Sequence, residues 1–159
     1  MPDDYTFGDL HHAIQKAMGW NLCHMHQFTI MNPTKRKKED ISSAEGCDNE
    51  PIIEEYGQLL SSYFSESSKE ALYEYVFGDR WEHKILFEEI LPLDPSKEYP
   101  ICLAGERACP PEDCGGILGY EDLLENLKDP DLEERSECVE EDFDPEVFDP
   151  QSVFASQDD

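Results

Sequence analysis

The chain has 159 residues, long enough for a hydrophobic core, and its 38 Asp and Glu against 12 Lys and Arg give a net charge of −26. With 38% apolar and 11% aromatic residues it is too hydrophobic for a disordered acidic chain, so it reads as folded and strongly anionic. That charge argues against general nucleic-acid binding, which draws on Lys and Arg placed against phosphates, and no apolar run is long enough to span a membrane.

The first element is a helix over about 7 to 18. Thr6 is placed to cap it, Asp9 to answer the cap three residues on, and Leu10, Ile14, Ala17 and Met18 recur at helical spacing before Gly19, a left-handed terminator. His11 and His12 are neighbours on it and diverge by about 100°, so they cannot share one site. From Leu22 to Met31 the pattern alternates, which predicts a strand carrying His24 and His26 on one face with Phe28 and Ile30.

Residues 32–51 are rich in turn formers and charge, so the expectation is a long exposed loop with Lys35-Arg36-Lys37-Lys38 as a solvated tip. A weak apolar stripe over 52–64, broken by Gly57, predicts only a short helix. Residues 72–77 and 81–91 form a predicted hairpin about Gly78-Asp79-Arg80, with Tyr73, Tyr75 and Phe77 on one face of the first strand. Trp81, His83, Ile85 and Phe87 share a face of the second. Residues 92–119 turn to proline, glycine and cysteine and should be irregular. A helix is expected over 119–128 with Tyr120, Leu123, Leu124 and Leu127 on one face, a second weak one over 131–140, and a docked turn at Phe143 to Pro150. The tail, 151–159, should fray.

Two groupings could carry chemistry. Cys102, Cys109 and Cys114 fall in one turn-rich stretch and, with His24 and His26, could hold zinc, although gaps of six and four residues are wider than structural zinc sites prefer. The alternative is buried thiols acting as small apolar side chains, with no cofactor at all. Asp79, Trp81 and His83 at the hairpin, and Arg107 with Glu112 and Asp113 on the loop, form the candidate binding surface, the last three also reading as an ion-pair clamp. No phosphate-binding glycine loop, nucleophile elbow or His-Glu-x-x-His motif occurs.

Several segments in order carry a resemblance: Phe7-Gly8-Asp9-Leu10-His11, Ala17-Met18-Gly19-Trp20, His24-Met25-His26-Gln27-Phe28, Tyr75 to His83, Arg107 to Gly116, Gly119-Tyr120 and Phe143-Asp144-Pro145. Together they resemble the plasmid pRiA4b ORF-3-like family, also labelled TnpR-like, over about Tyr5 to Phe148. The resemblance implies a compact α+β domain over 1–150 without a settled activity, and a mobile-element origin. Members usually begin with a strand ahead of the helix. Its loss here would expose a sheet edge and invite pairing with a second copy.

The fold expected is therefore one α+β domain with a mainly antiparallel sheet and a hairpin, packed against a few helices. A cytoplasmic, non-enzymatic interaction module with an unidentified protein partner is the leading functional reading. A zinc-binding protein, with or without hydrolytic activity, and a TnpR-like DNA-associated protein are the alternatives.

Overall fold

The computed structural model describes residues 1–43, 52–76, 78–128, 139 and 143–154. Two compact units partition the chain: Met1–Ala13 with Cys23–Ile101, and Ile14–Leu22 with Cys102–Asp159. The architecture is α+β.

Helix α1 runs over Phe7–Met18, the span expected. Its start is a reciprocal cap: the Thr6 hydroxyl and amide donate to Asp9 Oδ2 at 2.7 and 2.8 Å, while the Asp9 amide donates to Thr6 Oγ1 at 3.3 Å. Gly19 ends it at φ 71°.

The first unit is built on a five-stranded mixed sheet in the order β3-β2-β1-β4-β5. The strands are β1 (His26–Asn32), β2 (Lys37–Ser42), β3 (Ile53–Glu54), β4 (Glu70–Tyr75) and β5 (Trp81–Leu86). All pairings are antiparallel except β2 with β3. Phe7, on the first turn of α1, packs edge-on against Phe28 and Tyr63, with centroids 5.2 and 5.3 Å apart, and all three are buried.

Four expectations need correction. The strand predicted from Leu22 begins only at His26, because Leu22 sits at φ 60° and its amide donates to the Gln15 side chain, so the alternating pattern there is not extended backbone. Residues 32–51 are not all loop. The Asn32 side chain accepts from the Thr34 and Lys35 amides, Arg36 adopts φ 52°, and the chain returns as β2 with Ile41 opposite Phe28. Its charged sequence hid the strand, since Glu39 points inward. The short helix of 52–64 is two 3-10 turns, Glu55–Gly57 and Leu60–Ser62. The hairpin strands are 70–75 and 81–86. Val76 and Arg80 take left-handed φ of 53° and 54° at the shoulders of the turn, and residues 87–91 leave the sheet. Phe77 lies outside the described residues.

In the second unit, α2 spans Gly116–Asn126, starting three residues earlier than expected. Gly115, at φ 87°, turns the chain into it, and a Cβ on Gly119 would overlap the Cys114 carbonyl. The docked turn expected over 143–150 forms, and the turns continue to 154, where fraying was expected: the Ala108 amide donates to the Pro145 carbonyl at 3.0 Å, the Ser152 amide to the Asp149 carbonyl at 3.2 Å, and the Phe148 ring occupies the space where Gly105 would carry a Cβ. The weak helix predicted over 131–140 lies outside the described residues, apart from residue 139, as do residues 155–159 of the tail.

Candidate functional site

Register across the sheet sets two inward rows, His26–Tyr75–Trp81 and Phe28–Tyr73–His83. Onto them α1 lowers His11, one turn beyond Phe7 and therefore on the same face. All five histidines of the chain belong to the first unit.

The His11 and His26 rings stack in parallel, with centroids 3.4 Å apart and planes within 5°. His26 Nε2 shares a 2.6 Å hydrogen bond with Glu55 Oε2, and His11 Nδ1 shares one of 2.9 Å with the Tyr73 hydroxyl. His11, His26, Glu55, Tyr73 and Tyr75 are all buried. Glu55 comes from the first 3-10 turn, which the Glu54 carboxylate caps by accepting from the Tyr56 and Gly57 amides.

Burial drives the His11 pKa down to about 3, helped by the neighbouring His26 and His12 imidazoles, so His11 is neutral near pH 7. Burial also lowers His83, partly offset by backbone hydrogen bonds with Trp81 and Tyr73. His12 points away, exposed, and its Nδ1 donates to the Gly8 carbonyl at 2.8 Å.

This geometry restricts metal chemistry. An imidazole binds a metal through a lone pair in its own plane, at about 2.0–2.1 Å, and two parallel planes never meet at a common ion. In this arrangement His11 and His26 cannot share one, and the His26 Nε2 is committed to Glu55.

His24 lies ahead of β1 rather than on it, with its ring edge-on to Tyr75 at 5.7 Å. Asp79 is in the turn, and Trp81 and His83 sit half-buried on the inward face of β5. Cys102, Cys109, Cys114, Arg107, Glu112 and Asp113 belong to the second unit. There the Cys102 thiol donates to the Ala104 carbonyl and the Cys114 thiol points to the Gly116 carbonyl, while Cys109 abuts the Met18 sulfur. The three do not group into a metal-holding set among the described residues. Burial pushes the Cys109 thiol up to about 11, so it is protonated rather than a ready thiolate ligand.

The expected clamp is differently built. Arg107 pairs with Glu146 at 3.5 Å, while Glu112 accepts from the amide and side chain of Asn21 at 2.9 Å each, which anchors the loop to the chain just after α1. The loop reaches this shape with Arg107 and Asp113 both at positive φ.

Sequence reasoning set His11 aside and missed Glu55. His11 was findable, since it shares the α1 face of Phe7 and Leu10. Glu55 carries no sequence signal, lying in an acidic stretch whose inward member only tertiary packing selects.

At the outer end of β5 the character changes. Leu86, Ile90, Leu91 and Leu93 are 55%, 86%, 65% and 65% exposed. The segment is pinned beyond them by Tyr99, whose hydroxyl accepts from the Asp94 amide at 3.1 Å and whose carbonyl accepts from the Tyr5 hydroxyl at 2.8 Å.

Fold and site together describe an α+β protein with a mixed sheet, a sealed histidine–tyrosine cluster and an apolar sheet end. The chain belongs to the plasmid pRiA4b ORF-3-like protein family, whose model matches residues 1–152. It is similar to the uncharacterised protein y4hQ of Sinorhizobium fredii (strain NBRC 101917 / NGR234), 35% identical over 140 residues that make up 88% of this chain and 69% of that one. The crystal structure of a protein of unknown function, MM3350 from Methanosarcina mazei Go1, superposes with a TM-score of 0.85 at 47% identity, covering 95% of this chain and 84% of that one. No helix among the described residues is long and apolar enough to cross a membrane.

Proposed function

We propose that this chain is a non-enzymatic protein-interaction module, docking its partner at the outer end of β5 and along the segment that follows. The observation that carries this reading is the exposure of Leu86, Ile90, Leu91 and Leu93 within one short stretch, where a monomer would be expected to hide such side chains or use them.

The groups suited to acid–base work point the same way. His11, His26, Glu55 and Tyr73 are buried, and hydrogen bonds join His11 to Tyr73 and His26 to Glu55, which disfavours approach by a substrate and suits a rigid, specific core. The basic run is also partly neutralised: Lys35 Nζ lies 2.8 Å from the buried Glu39 carboxylate and Lys37 Nζ lies 3.9 Å from it, which weakens the case for a phosphate grip. The support for an accessory role in a mobile element is the plasmid in the family's name.

The test compares the full chain with a triple variant, Ile90→Ser, Leu91→Ser and Leu93→Ser, in cross-linked capture from a host-cell lysate. Circular dichroism and melting temperature confirm that the variant folds. A protein held by the wild type and lost by the variant supports the reading. Equal capture by both, or none by either, refutes it.

A further inference from the structure

Resting on that reading, we infer that the partner presents an extended segment rich in basic and apolar residues, which joins the sheet as a new strand alongside β5. β5 ends the strand order, with β4 on one side and no strand beyond it among the described residues.

The rungs can be assigned. Glu70 is opposite Leu86 in the antiparallel register, and the Phe87 amide donates to the Lys69 carbonyl at 2.7 Å, so residues 69 and 87 form a hydrogen-bonded pair. Such pairs alternate with non-bonded ones. Trp81, His83 and Ile85 therefore turn their backbone groups to β4, whereas Glu82, Lys84 and Leu86 turn theirs outward. Those outward amides and carbonyls have no backbone partner among the described residues. Three successive outward rungs make a template for an added strand, the arrangement that sheet edges normally blunt. β3, at the opposite end of the sheet, has two residues and offers no comparable run.

Charge selects the occupant. Lys84 Nζ is 2.7 Å from Glu70, which largely cancels the one lysine of the edge, and Arg80 is shared between Glu74 and Glu82 at 3.7 and 4.0 Å. Glu88 and Glu89 are exposed, with no ion-pair partner among the described residues, and they flank the apolar Leu86, Ile90, Leu91 and Leu93. A strand alternating lysine with a β-branched residue satisfies the rungs, the carboxylates and the apolar side chains together. A second copy would bring a second body of −26 against the first, which disfavours self-pairing.

The experiment titrates the full chain into a fluorescein-labelled octapeptide alternating Lys and Val, with anisotropy as the readout. Two versions N-methylated on alternate amides in opposite phase, and a Glu–Val octapeptide, serve as controls. The Lys–Val peptide is expected to bind, to weaken as salt rises from about 0.05 to about 0.5 M, and to lose at least about tenfold in affinity when methylated in one phase only. Hydrogen exchange should slow at the Glu82, Lys84 and Leu86 amides. No binding of the Lys–Val peptide, equal binding of both methylated versions, or preference for the Glu–Val peptide overturns the inference. So does a concentration-dependent dimer in sedimentation that protects those three amides. In each case, partner capture that still depends on Ile90, Leu91 and Leu93 leaves the interaction reading standing, whereas loss of that dependence removes both.

Discussion

Replacing His11 with Phe should flatten the acid sensitivity of the fold. His11 titrates near 6.5 when unfolded and at about 3 in the folded cluster. As pH falls below 6.5 the unfolded chain takes up a proton that the folded chain refuses, so stability present above that value drains away on acidification. One such group contributes at most about 1.4 kcal/mol per pH unit, or about 2 kcal/mol between pH 6.5 and 5. His83, lowered by burial, adds in the same direction. Relief of repulsion within a chain of −26 opposes both, but equally in wild type and variant. The Phe ring keeps a flat surface against His26 and leaves the Tyr73 hydroxyl without this partner, so the variant starts from a lower stability near pH 7. The diagnostic quantity is therefore the slope. Urea unfolding at several pH values between about 7 and 5 measures it. Wild type and His11→Phe losing stability in parallel would refute the argument, because the cluster would then not be excluding a proton at His11.

Three further substitutions probe how each unit is held together internally. Glu39 is a buried carboxylate on which burial acts to raise the pKa, but hydrogen bonds from Lys35, Asn32 and Tyr63 outweigh it and hold the group below its ordinary range. Its stabilisation is therefore present above that range and lost only as pH falls through the folded value. Glu39→Gln should cost about 1–3 kcal/mol in chemical unfolding near pH 7, whereas Lys35→Gln, whose ammonium is largely exposed, should cost under about 1 kcal/mol. Gly119→Ala should lower stability by about 1–3 kcal/mol, since its Cβ would overlap backbone rather than a side chain that can move aside; an unchanged melting temperature would show that the start of α2 is not packed this tightly.

Legibility followed locality. The α1 cap could be read because Thr6 and Asp9 meet within one turn, and the inward faces of β4 and β5 because alternation is itself the local geometry of a strand. What defeated sequence reasoning was charge with a tertiary purpose. Lys37 to Ser42 looks like solvated loop until Glu39 is seen under Tyr63 and Asn32, and Arg107 seemed bound for its loop neighbours until Glu146 took it from 39 residues away. Leu22 was misjudged because an alternating pattern does not report the sign of φ.

Composition and periodicity by themselves determined that this chain is an anionic α+β protein with a capped first helix, an aromatic hairpin and a proline-rich loop, since those features arise from neighbours along the chain. Only the tertiary structure decided that His11 stacks on His26, that Glu55 closes the cluster, and that β5 is left at the sheet edge with its outward amides without a backbone partner among the described residues. Strand order and burial depend on contacts between residues far apart in sequence, and no local pattern encodes them.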